Sequence, residues 1–143
     1  MKERQTTLLR WAFVAGAVTD ALALIPLLFP SMAFLLWGFE DQSGAYRFAI
    51  GYAASLMLGW TALLLWAAQR PLERAFVAPL TVIVIYGLAA TEVSAVLVGD
   101  LQAWRMIPTW CLQATLLAMF VTAYHYPFMQ RLIGRRRVDL RRA

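Results

Sequence analysis

Apolar residues fall along this chain in long blocks separated by short polar breaks. The first block runs from Leu8 to Trp37, longer than the roughly 20 residues a helix needs to cross a bilayer. Pro26 and Pro30 divide it. Proline lacks a backbone donor and clashes with the preceding turn. The block therefore predicts a first long helix over about 7–29, bent near Pro26, and then a short helix capped by Ser31 and closed after Trp37 by Gly38. Its Met, Phe, Leu and Trp content suits a segment in the membrane interface or folded back on the bundle; a tilted extension of the first helix is the other reading. A second long helix is predicted over about 43–69. A third covers about 72–98, with Pro71 and Pro79 near its start and Gly99 and Asp100 at its end. The fourth begins near Arg105 or Pro108 and covers about 106–131, with a bend expected at Pro127. Short linkers make successive helices antiparallel neighbours. The pattern thus predicts an all-α four-helix transmembrane bundle with a short interfacial helix after the first span. It forms one domain over 1–131, followed by a tail over 132–143 that is an amphipathic helix or disordered.

Within this pattern the stretch EDQSGAYRFAIGYAASLMLG, Glu40 to Gly59, organises the rest. Arg47, Gly51, Ser55 and Gly59 recur every four residues and share one face of a helix. Small residues let a neighbouring membrane helix approach closely, so this face is expected to be the packing seam of the bundle, with Arg47 at its mouth. Ala114, Ala118 and Thr122 are expected to mark the packing face of the fourth helix.

Composition agrees with the pattern. Apolar residues make up 62% of the 143 and charged residues 15%, which exceeds what a soluble chain of this length could bury. The apolar run after Lys2, Glu3 and Arg4 is too long for a cleaved signal peptide and lacks a clear cleavage site, so an uncleaved signal anchor is expected. Of the 13 Lys and Arg, only Arg47 and Arg105 fall on the side opposite the termini, and the other 11 share the terminal side. By the positive-inside rule both termini are expected in the cytoplasm, in a multi-pass inner-membrane protein. Trp11 and Trp66 then belong to the inner aromatic belt, Trp37 and Trp104 to the outer one. The tail, including Arg135, Arg136 and Arg137, is expected to contact anionic lipid; nothing in it points to nucleic acid.

Few residues carry chemistry. One cysteine, Cys111, and one histidine, His125, exclude an intrachain disulfide and a two-histidine metal site. No GxGxxG, P-loop, HExxH or GxSxG motif occurs, so no cofactor or metal is expected. Cys111 reads as a small packing residue near the outer face, and His125, in TAYHYPF, as an interfacial hydrogen-bonding residue. Asp20 lies 10 residues beyond Arg10, roughly 15 Å along a helix. Ala12 and Gly16 share its face, so it is expected to point into the bundle, with Thr61, His125 and Tyr124 at similar depth. An acid there is either a proton or ligand site, or a neutral carboxyl bonded to a carbonyl or hydroxyl. Glu92 is the second buried acid, with Arg47 as its leading partner. Gln113, Tyr46, Thr91, Trp110 and Arg105 complete an expected polar cluster open to the outer face. This is either a small binding pocket or a structural pair locking the second helix to the third.

With Arg47 and Gly51 opening the second helix, and a proline-containing segment, Pro30 to Gly38, closing the first, the layout resembles the DoxX-like families of small four-helix bacterial membrane proteins. The chain has Thr91-Glu92 where those families carry a Gly-Arg pair in the third helix. The resemblance implies a bacterial inner-membrane bundle; some members of those families are associated with quinol oxidation or redox complexes. Three functions follow. The first is a non-enzymatic protein that binds a small apolar or amphipathic ligand through Arg47, Glu92, Gln113, Asp20, Tyr46 and Trp110, or that serves as an accessory subunit. The second is a membrane enzyme using the buried carboxylates for isomerase-like acid–base chemistry. The third is an oligomeric channel or transporter. A homo-oligomer or a larger membrane complex is the expected setting.

Overall fold

A computed structural model describes residues 2–38 and 43–139, with side chains described as far as Phe128 in the last helix. Five helices follow one another: α1 (Lys2–Leu28), α2 (Pro30–Trp37), α3 (Gly44–Gln69), α4 (Val77–Val98) and α5 (Ala103–Asp139). The fold is all-α, and α1, α3, α4 and α5 up to Phe128 are each long and apolar enough to cross a membrane. The chain is a multi-pass membrane protein.

The boundaries follow from local chemistry. Ser43 is the N-cap of α3; its hydroxyl accepts from the Tyr46 N–H at 3.2 Å. α2 starts one residue before its expected cap. Phe29 is extended and Pro30 takes the first helical position, where a missing N–H costs nothing, while Ser31 lies inside the helix. Gly38 and Gly99 end α2 and α4 with φ of 81° and 92°, a left-handed conformation that glycine adopts without Cβ strain. α4 starts at Val77 rather than near residue 72. That start leaves Pro79 in the first turn, among the N–H positions that have no intrahelical partner anyway; a helix from 72 would have placed it in the interior. Residues 71–76 form turns instead. α1 begins at Lys2, ahead of the expected 7, and runs through Pro26. α5 runs from Ala103 through Pro108 and Pro127 to Asp139, so helical backbone continues into the expected tail.

The helices pack as a row. α3 lies on α1, α1 on α5, and α5 on α4, while α2 folds back against α1 and α5. α3 and α4, joined by the 70–76 turn, are not among the packed pairs. These two sequence neighbours are therefore not packed on one another, and the bundle is open between α3 and α4. The core gathers toward the 70–76 end: Leu9, Phe13 and Ala17 of α1, Leu64 and Ala67 of α3, Val77 and Ala78 of α4, Leu116 and Phe120 of α5. Phe13 and Phe120 are fully buried, with ring centroids 5.8 Å apart and planes at 56°, a tilted geometry that aromatic pairs favour. Between membrane helices this contact, rather than escape from water, holds the row together.

The small residues that pack are not the ones expected on α3 and α5; they include Ala12, Gly16 and Ala17 of α1 and Ala54 and Ala67 of α3. Gly16 is the one close approach in the core: a Cβ there would meet Leu64 Cδ1 at 3.1 Å and Phe120 Cζ at 3.2 Å. Gly51, Ser55 and Gly59 face out of the bundle, and a Cβ on either glycine would meet nothing within 4 Å. Ala114, Ala118 and Thr122 are exposed too, while Gln113, Leu116, Phe120 and Ala123 form the buried face of α5. The α1 seam combines large side chains with buried Ala12, Gly16 and Ala17, whereas the small-residue stripes of Gly51, Ser55 and Gly59 on α3 and of Ala114, Ala118 and Thr122 on α5 look outward.

Candidate functional site

The polar groups that the sequence gathered into one cluster are distributed over three places. The first lies between α4 and α5. Gln113 is nine-tenths buried, and its Nε2 donates to Glu92 Oε1 at 2.9 Å. The Trp110 indole, nearly one turn before Gln113 on α5, lies beside the same carboxyl. Three atoms of this trio are sealed from solvent without a hydrogen-bond partner: Glu92 Oε2, Gln113 Oε1 and Trp110 Nε1. Glu92 thus meets Gln113 rather than Arg47. The physical reason is the order of the row. Arg47 sits on exposed α3, whose packed neighbour is α1, while the face of Glu92 is turned to α5. Among the described residues the one ion pair is Arg70–Glu73, at 3.3 Å and exposed. Tyr46 is half-buried in the first turn of α3, away from the trio.

The second place is Asp20. It lies on the core face of α1, in line with buried Ala12 and Gly16, and is half-buried. Gly16 marks its level against α3 and α5. One turn beyond Gly16, Asp20 stands at the height of Trp60 and Thr61 on antiparallel α3 and of Leu116 on α5. Thr61 is buried at the expected depth, but its hydroxyl donates to the Met57 carbonyl at 2.9 Å. His125 is exposed, edge-on to Tyr124 at 5.2 Å. It lies five residues past Phe120, on the far side of the Gly16 level from Asp20.

The third place is the end of α2. Arg105, half-buried at the start of α5, donates through Nη1 to the Phe34 carbonyl at 3.3 Å. The same carbonyl accepts the Gly38 N–H at 2.8 Å. A cation at the C-terminal carbonyls of a helix is favourable. Arg105 therefore fastens α2 to α5 rather than joining Glu92. The sequence signals for this were Gly38 as a helix stop and an arginine at the head of the facing helix. Arg74 performs the matching role at the opposite end. Its guanidinium donates to the Trp66 carbonyl in the last turns of α3 and lies 3.7 Å over the Trp66 ring.

An open groove of about 470 Å³ runs along α4, lined by Ala90, Thr91, Ser94, Ala95, Val98 and Asp100. Neither Asp20, Glu92 nor Gln113 lines it. Thr91 closes its own hydroxyl onto the Gly87 carbonyl at 3.0 Å. Cys111 is exposed and free on α5, not packed as expected. The side chains of Arg135, Arg136 and Arg137 lie outside the described part of the structure, as do Glu40 and Asp41. Comparison with family models, with curated proteins and with solved structures gave no match.

Proposed function

We propose that this membrane protein is a non-enzymatic accessory subunit that packs against another integral membrane protein, or further copies of itself, through its outward small-residue faces. The carrying observation is the α3 face of Gly51, Ser55 and Gly59, which has open space at both glycines instead of a neighbouring helix. Such faces favour close backbone approach inside a bilayer. Gly87, Ala90 and Ser94 on α4, and Ala114, Ala118 and Thr122 on α5, repeat the pattern on other outer surfaces. The resemblance to the DoxX-like families and the charge asymmetry support a bacterial inner membrane as its setting, both termini cytoplasmic and the basic tail on anionic lipid. The separation of Asp20 from Glu92 speaks against a shared acid–base pair and for the accessory reading.

The α4 groove favours a second reading, the binding of a small apolar or amphipathic ligand. Native mass spectrometry of gently extracted protein separates the two. The accessory reading gives a defined complex or multimer, and the ligand reading gives a monomer of added mass. Disulfide trapping in membranes tests the face directly, with Cys111 replaced by Ala and single cysteines at Ser55 or Gly59. Trapping there, with none at the equally exposed Leu56, is the expected result. A bare monomer that traps at no position overturns the proposal.

A further inference from the structure

The sealed trio between α4 and α5 carries an inference of its own, independent of the accessory reading. Gln113 Nε2 already donates to one carboxyl oxygen of Glu92. The atoms left over are two acceptors, Glu92 Oε2 and Gln113 Oε1, and one donor, the Trp110 indole N–H beside the carboxyl. One indole N–H can serve at most one of these two acceptors, and a buried acceptor left unmet is destabilising. A carboxylic acid and a primary amide have a complementary arrangement: the amide N–H donates to the acid C=O, and the acid O–H donates to the amide C=O. The first of these bonds is in place, and the second lacks only a proton. Both orphan oxygens are closed to solvent, and the α4 groove does not reach them.

We propose that Glu92 is a proton-binding site within the membrane, held as the neutral acid whose Oε2–H donates to Gln113 Oε1 and closes a two-bond ring between α4 and α5. Water supplies and takes the proton in an ordinary acid–base equilibrium, with no other reactant. Among the described residues no counter-charge competes. From α5, the element packed on α4, the groups at the site are Gln113 and the Trp110 indole. Arg105, eight residues before Gln113, is engaged with the Phe34 carbonyl. On α4 itself, Thr91 is closed on its own backbone and Asp100 lies exposed beyond the helix end. Losing the proton would set a carboxylate oxygen against the amide oxygen, so proton release is tied to loosening of the α4–α5 contact.

The test is infrared spectroscopy of the whole protein in lipid at neutral pH, with carbon-13 in the glutamate carboxyls. The expected result is a protonated-carboxyl C=O band that moves with the label, shifts in deuterium oxide, disappears in E92Q and survives in D20N. E92Q should keep its fold, because an amide at that position can donate to Gln113 Oε1 in place of the acid. Of the other glutamates, Glu3 and Glu73 are exposed, and Glu40 is controlled by E40Q; a labelled band that survives in E40Q reads Glu92 even if E92Q fails to fold, and one lost in E40Q overturns the proposal. A wild type with no labelled band, or a labelled band unchanged in folded E92Q, overturns the proposal.

Discussion

Arg105 and Gly38 fit one another: a Cβ at Gly38 would stand 3.0 Å from Arg105 Nη1 and 3.3 Å from its Cζ. The left-handed φ of 81° compounds this limit. Replacement of Gly38 by Ala should cost about 1–2 kcal/mol from the backbone conformation alone, and more if the guanidinium is pushed off the Phe34 carbonyl. Arg105→Ala should destabilise α2 while Gly38 remains content. Unfolding in mixed detergent micelles, followed by circular dichroism, reads both.

Gly16 and Gly59 should respond oppositely to the same change. A methyl at Gly16 enters the gap between Leu64 and Phe120, and overpacking there should cost about 1–3 kcal/mol. A methyl at Gly59 meets nothing within 4 Å. Gly59→Ala should stabilise the isolated chain by up to about 1 kcal/mol through helix propensity, yet weaken assembly if that face carries a partner. Unfolding and native gel mobility of the two variants separate fold from association.

Phe120 is fully buried against Phe13, Gly16 and the core of α1. Phe120→Ala should be among the most damaging single changes, about 3–5 kcal/mol, with loss of thermal stability at any pH where the protein is folded. A variant that retained wild-type stability would refute the packing of α5 on α1.

Arg74 and Glu73 are adjacent, but should differ in effect. The Arg70–Glu73 pair is exposed on both sides, and such pairs contribute about 0–1 kcal/mol. Glu73→Ala should therefore pass unnoticed. Arg74→Ala removes both a donor to the α3 C-terminus and a cation over Trp66. It should lower stability measurably, and added salt should not mask the difference as it would for an exposed ion pair.

Much of the fold was legible because its signals are local. Gly38 and Gly99 announced helix stops, and apolar length announced the spans. Pro79 could have corrected the start of α4, since a proline belongs in a first turn and not seven residues into a helix. Partner choice was less legible. The sequence gives the face and depth of Glu92 but not the order α3–α1–α5–α4, so a nearby arginine seemed a better match than Gln113. The small-residue rule misled for a related reason. It finds faces suited to close packing without saying whether the partner helix lies in the same chain. Gly16 found its neighbour within the bundle; Gly51 and Gly59 did not.

The absence of packing between α3 and α4 bears on how the protein is made. α1 and α3 form one hairpin, available as soon as both have left the ribosome. α4 gains its main packing partner only when α5 arrives, and α5 then completes both its own hairpin and the seam with α1. The protein is in effect two helical halves joined by the turn at 70–76, meeting through α1 and α5. Cut at that turn, the halves have a reason to find each other again, so two separately synthesised fragments inserted into one membrane should reconstitute the whole.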